Sequence, residues 1–204
     1  MVIAKIPKLI QYLLYYFEFK IKGENKTLYL TFDDGPIPEV TPEVLDILDK
    51  YNAKATFFCV ADNIKKYPEV FQSIIDRGHR LGNHTYHHIK GWETPNNEYF
   101  EDIERANQLV NSNLFRPPYG RIGFFQARKL RKRYRLILWS VLSYDYSGKL
   151  SKEKVWDNIR KSVTDNDIIL FHDNIKARDN MIFALNNTLL YFSKKGFQFK
   201  SIPE

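Results

Sequence analysis

Leu28-Tyr29-Leu30-Thr31-Phe32-Asp33-Asp34-Gly35-Pro36 is the stretch on which the reading of this chain turns. Its first half is apolar and reads as a buried strand over residues 28–32. The strand then stops in two adjacent carboxylates and a Gly-Pro turn. Like charges side by side repel, and Asp is seldom fully buried without a partner. Asp, Gly and Pro are also ordinary turn residues, so in isolation a solvated turn explains the stretch. The sharper reading is that one carboxylate binds a cation and the other handles a proton. The rest of the chain decides between them.

Downstream, short apolar runs alternate with amphipathic stretches. Residues 55–60, 79–83, 113–116, 136–139, 168–171 and 197–202 read as further strands. Helices are predicted from Thr41 (as N-cap, with Pro42 next), from Tyr67-Pro68 to Arg77-Gly78, and over 98–110, 122–133, 151–163 and 179–195, the last closed by Gly196. Strands alternating with helices imply an α/β fold with a parallel sheet. Seven strands in one domain suit a closed or nearly closed barrel, with a doubly wound open sheet as the alternative.

The polar outliers then fall into place. Asp33 and Asp34 follow the first strand, His84 and His88 the third, Arg116 and Tyr119 the fourth, Asp145 the fifth, and His172 and Asp173 the sixth. In a parallel barrel the carboxyl ends of the strands meet on one face, where such folds carry their active sites. His84-Thr85-Tyr86-His87-His88 holds three of the five histidines. A helical turn would point His84 and His88 the same way and His87 elsewhere. Two His and one carboxylate make a protein ligand set for a divalent metal with open positions. His79, just after Gly78, reads as structural.

With these residues in hand the chain resembles a known family, the polysaccharide deacetylases of the NodB-homology type, carbohydrate esterase family 4. Thr31 to Pro36 matches the family's first motif, His84-Thr85-Tyr86-His87-His88 its H-(S/T)-x-x-H, Arg116-Pro117-Pro118-Tyr119-Gly120 its third, and Leu170-Phe171-His172 its L-x-H. The resemblance covers residues 27–204 and implies a distorted (β/α)7-8 barrel with its site at the C-terminal strand ends. It implies a metal-dependent hydrolysis of the acetamide of N-acetylhexosamine residues in a glycan, with acetate released. Asp34, His84 and His88 would hold a divalent metal, Zn²⁺ before Co²⁺ or another ion, whose role is to polarise the carbonyl and water. Asp33 would be the general base, kept ionised and oriented by Arg116. The Tyr119 backbone N–H would stabilise the oxyanion and His172 would be the general acid. Leu170 and Trp139 would wall the acetyl pocket.

One motif departs. The family pattern D-x-x-D-W or D-x-x-S-W meets Leu142-Ser143-Tyr144-Asp145-Tyr146 here, with Leu142 at the first Asp and Tyr146 at the Trp. The first Asp is taken as the tether of the catalytic His, so its loss should lower the pKa of His172, with Asp145 or Asp173 as substitutes. Two other functions follow from a weakened acid: an O-acetyl esterase on a glycan such as xylan, whose alkoxide leaving group needs less help, and a silent glycan-binding homologue. The intact metal set and both catalytic groups favour the deacetylase. Chitin fragments, peptidoglycan, xylan and lipid-linked sugars all remain open as substrates. Trp92, Tyr99 and residues 144–150 are the expected lining of the subsites.

At 204 residues the chain is long enough for a full core. Its net charge of +7 favours acidic partners without naming one. A single cysteine, Cys59, rules out an internal disulfide and sits in an apolar run as a buried thiol. In residues 1–20, Ile6, Leu9, Ile10, Leu13, Leu14 and Phe17 recur at helical spacing among Lys5, Lys8 and Lys20. No apolar run there approaches the ~20 residues of a membrane span, and no cleavable signal is seen. Residues 1–24 are therefore set apart as an amphipathic helical segment and linker before a catalytic domain at 25–204. The helix is expected to dock on that domain, the rival being peripheral contact of residues 1–20 with a membrane. A monomer, cytoplasmic or at the inner membrane face, is the expected state. Residues 127–135 carry six basic side chains and no acid, read as a solvated face before an anionic glycan or membrane site. No recognition motif supports nucleic acid as a partner.

Overall fold

The computed structural model describes residues 4–203, apart from the side chain of Leu13. Nine strands and eight α-helices are present in this part. In chain order they are α1 (Lys8–Leu13), β1 (Phe17–Glu18), β2 (Thr27–Asp33), α2 (Thr41–Lys50), β3 (Ala55–Cys59), α3 (Ala61–Lys66), α4 (Pro68–Asp76), β4 (Arg80–Asn83) and α5 (Asn96–Val110), then β5 (Leu114–Phe115), α6 (Phe124–Leu130), β6 (Arg135–Ile137), β7 (Val141–Leu142), α7 (Lys152–Ser162), β8 (Ile168–His172), α8 (Arg178–Lys194) and β9 (Gln198–Phe199).

The sheet runs β1-β6-β5-β4-β3-β2-β8-β7, with β9 beside the start of β2, and its strand pairs are parallel. It curls into a half-barrel with helices outside, the distorted (β/α) barrel that the resemblance implied. β2 lies at its centre, paired with both β3 and β8. Alternation along β2 sorts the side chains, as the pleat requires. Phe32 stacks between Phe57 (4.9 Å) and Phe171 (5.6 Å), on the face that packs with α2, α7 and α8. Thr31 and Asp33 therefore point to the other face, where the polar groups gather.

Several elements differ from the expectation. The helix expected over residues 1–20 is confined to α1, and Phe17 and Glu18 form a strand instead, in register with Leu136 and Ile137 of β6. Residues 1–3 lie outside the described set. Ile6 N–H donates to Ser140 O and Leu142 N–H to Ala4 O, so the same segment also runs antiparallel to β7. Residues 4–18 thus span the seam between β6 and β7, which do not pair with each other directly. Lys5 and Lys20 both reach the buried Asp167, each at 2.9 Å. Burial alone would raise the Asp167 pKa, but the two lysines and Ser140 bring it below its usual value.

Thr41 is not the N-cap of α2. Its hydroxyl accepts from Ile37 N–H (2.8 Å) and donates to Asp173 (2.7 Å), and the cap falls to Val40. α3 and β7 were not expected, and the strand expected at 197–202 shrinks to two residues beside β2. Ser151 does cap α7, accepting from Lys154 N–H. Cys59 is buried, and burial pushes its thiol pKa up. His79 is buried and accepts from Ala55 N–H at 3.2 Å, a structural role. Among the described residues no helix is long and apolar enough to cross a membrane.

Candidate active site

The site starts at the end of β2. Asp33 is 3% exposed, too buried for a carboxylate without a partner, and Arg116 supplies one. Arg116 follows β5 and is itself fully buried, with Nη1 donating to Asp33 Oδ1 (2.7 Å) and to Thr31 Oγ1 (2.9 Å). Its remaining donors go to the carbonyls of Ile137 and Leu138. The guanidinium lies over the Phe58 ring at 4.0 Å. That ring has room because residue 82 is glycine: a Cβ there would stand 2.4 Å from it. Burial pulls the Arg116 pKa down and Asp33 pulls it back, which keeps a cation in the core.

Asp34 turns away from Asp33 because its backbone is left-handed, at φ 87°. Its Oδ1 faces His88 Nε2 at 3.1 Å and His84 Nε2 at 3.8 Å. The helical turn expected to bring the two histidines together is absent. Residues 84–88 form a loop in which Thr85 (φ 66°) and His88 (φ 56°) take left-handed conformations, and the rings meet at 5.0 Å. Non-glycine residues in that region are strained, and such strain gathers at functional sites. His87 points elsewhere, onto Asp102 at 2.5 Å.

The donor set fits a divalent cation. Asp34, His84 and His88 offer ligand atoms all within 4.8 Å of one another. His84 Nδ1 lies 2.7 Å from Arg116 O, where it serves as the N–H donor and leaves the Nε2 lone pair facing the carboxylates. Burial lowers the His84 pKa to about 4, against the pull of Asp33, so the ring is neutral as a ligand must be. Burial would raise the Asp34 pKa, but the His88 hydrogen bond, His172 and His84 together hold it below the usual carboxylate range.

His172 ends β8, in register with Asp33 across β2. Its Nδ1 is 2.8 Å from Asp145 Oδ1, and its backbone N–H donates to Asp145 Oδ2 at 2.8 Å. The tether expected to be lost at Leu142 is therefore in place at Asp145, the second carboxylate of the motif. Burial opposes a charge on His172, but Asp145, with Asp34 and Asp33, carries its pKa up to about 9, not down as the sequence led us to expect. Asp173 plays no part in the tether. It accepts from Gly35 N–H (3.0 Å) and Thr41 Oγ1 (2.7 Å) behind the site. Burial pushes its pKa up to about 8.

Asp33, Asp34, His84, His88 and His172 share one cavity of about 850 Å³. Leu170, Trp139, Leu142 and Tyr146 form its apolar wall, and Tyr146 meets the His172 ring edge-on at 5.0 Å. The Tyr119 ring packs on His88 at 4.8 Å, and its backbone is left-handed at φ 59°. Of the expected subsite residues, Trp92 is exposed beside a neighbouring groove, whereas Tyr99 is fully buried in the core. Two residues passed over in the sequence also serve the site. Asn174 donates to Asp34 Oδ2 at 2.6 Å and Asn63 to Asp34 O at 2.8 Å. Asn174 stands two residues past His172, the one signal that pointed to it.

A profile of the polysaccharide deacetylase family matches residues 20–134. A peptidoglycan-N-acetylglucosamine deacetylase of Bacillus cereus is 30% identical over 198 residues, 93% of this chain and 92% of its own. The peptidoglycan-N-acetylmuramic acid deacetylase PdaA of Bacillus subtilis is 30% identical over 191 residues, 89% of this chain and 72% of its own. Among solved structures, the Bc1960 peptidoglycan N-acetylglucosamine deacetylase superposes with a TM-score of 0.89 at 29% identity, covering 97% of this chain and 95% of that one.

Proposed function

This chain belongs to the polysaccharide deacetylase family, and we propose that it hydrolyses the acetamide of N-acetylhexosamine residues in a poly- or oligosaccharide. One observation carries the reading: Asp33 and His172 sit in register on adjacent strands and open onto the cavity that also holds the Asp34, His84 and His88 donors. The relatives named above, for N-acetylglucosamine and N-acetylmuramic acid, support the substrate class.

Asp33 takes a proton from the attacking water while Arg116 fixes the carboxylate in place. The oxygen adds to the acetamide carbon, and the Tyr119 backbone N–H stabilises the resulting oxyanion. His172, protonated at neutral pH and aimed by Asp145, gives its proton to the sugar nitrogen as the C–N bond breaks. Acetate and a free amine leave. Leu170 and Trp139 hold the acetyl methyl. A divalent cation on Asp34, His84 and His88, Zn²⁺ in our reading, supplies Lewis-acid polarisation of the carbonyl and the water.

The ester alternative rested on a weakened general acid, and Asp145 removes that ground. The test is acetate release from N-acetylated and O-acetylated oligosaccharides, metal-stripped and Zn²⁺-loaded, for the native chain and Asp33→Asn. Release from amides that needs metal and falls about 10³-fold in the variant is expected. Release from esters alone, or none with metal shown to be bound, overturns the proposal.

A further inference from the structure

We propose that the exposed aromatic face formed by α1, the turn after it and the start of α6 seats on an anionic lipid surface. A helix docked on a core buries its apolar stripe. Here the flanks of α1 are bonded into the sheet, yet Leu9 is 69% exposed, Tyr12 80% and Tyr15 65%. Tyr16 joins this face to α6, with its ring 5.3 Å from Phe124, and Phe124 and Phe125 are also exposed. Ring contacts link Tyr15 to Tyr16 and Tyr16 to Phe124, so exposed apolar side chains of α1 and α6 are clustered here and not scattered singly.

Its rim is basic. Arg131 lies over the Tyr16 ring at 4.5 Å and Lys129 over Phe100 at 4.1 Å. Lys8, Arg128, Lys129, Arg131 and Lys132 make no ion pair among the described residues. Glu104 pairs with Arg133 and Glu18 with Arg135, and on α5 the exposed Glu98 and Glu101 are the acids left to offset the rim. Uncompensated cations around tyrosines, phenylalanines and leucine match the boundary between headgroups and acyl chains. A second copy of the chain is a poorer occupant, because face-to-face pairing would bring two basic rims together. The surface also adjoins the catalytic cavity in the chain: Phe124 follows the loop that carries Tyr119 and Arg121, both of which line it.

The test is co-sedimentation of the full chain with vesicles of phosphatidylcholine alone and of phosphatidylcholine with phosphatidylglycerol. Selective binding to the anionic vesicles is expected. Arg128→Ser with Lys132→Ser should weaken it about 25-fold, and Tyr12→Ser with Tyr15→Ser should also weaken it. Lys50→Ser with Lys194→Ser, exposed on other helices, should leave it nearly unchanged, and melting of each variant checks the fold. No anionic binding, or equal weakening by the Lys50 and Lys194 pair, overturns the proposal, since the latter is diffuse attraction by net charge. A dimer in solution that the tyrosine changes dissociate also overturns it, making the face a contact between copies.

Discussion

The two sides of the cavity solve one problem in different materials. Asp33 and His172 occupy facing positions on β2 and β8, and each is held by a buried partner of opposite charge. Arg116 leaves β5 directly and is fixed by a carboxylate, a hydroxyl, two carbonyls and a ring. Asp145 arrives on the loop after β7, an outer strand of two residues, by way of left-handed Tyr144. The Asp33 carboxylate is thus oriented by the core and the His172 ring by a loop. Damage to the first should cost the fold more, whereas damage to the second should tell chiefly on the chemistry.

That contrast can be broken. Arg116→Met leaves Asp33 buried without its cation and should destabilise the fold by about 3–5 kcal/mol, read from denaturant titration. An unchanged midpoint would place Arg116 outside the core and erase the difference between the two sides. Asp145→Asn is nearly the same size and still accepts from the His172 backbone N–H, and His172 can give up its proton once the carboxylate is gone. A smaller loss of stability than for Arg116→Met is therefore expected, present below pH about 9 and fading above it. The carboxylate raises the His172 pKa, so His172 stays protonated until pH rises through about 9. Without it the pKa drops and the alkaline limb of the rate profile moves to lower pH. At neutral pH acetate release should fall by about 10²-fold. A limb that stays in place would mean that another group supplies the proton. Leu142→Asp sharpens the comparison further. With Asp145 already bonded to His172, a carboxylate at 142 should bring no gain in rate, and some loss from a charge set in an apolar wall. A clear gain would show the tether incomplete.

Much of this was legible because the chemistry sits where strands end. Asp33, Asp34, His84, His88, Arg116 and His172 each follow a recognisable strand, and parallel order brings such ends together. What was hidden depends on distant partners or on backbone conformation. Phe17 and Glu18 continue a helical apolar spacing, and only their pairing with Leu136 and Ile137 makes them a strand. α3, Ala61-Asp62-Asn63-Ile64-Lys65-Lys66, is short and largely polar, so no periodicity marks it. The left-handed turns at Thr85, His88 and Tyr144 use residues that seldom adopt them. They set which way His84, His88 and Asp145 point, so the donor residues were readable and Asp145 was one of two carboxylates offered as the tether, while the loop geometry that selects it was not.

The buried Asp167 gives the N-terminal segment a mechanical character. Lys5 and Lys20 end on its two oxygens, so the chain between them leaves and returns to a single anchorage. It behaves as a shackle and not as a free arm. A load on the tip at Tyr12 is shared by both legs and carried into the body of the barrel, and neither leg peels off first. Trimming this chain from its N-terminus would therefore open a wall of the molecule.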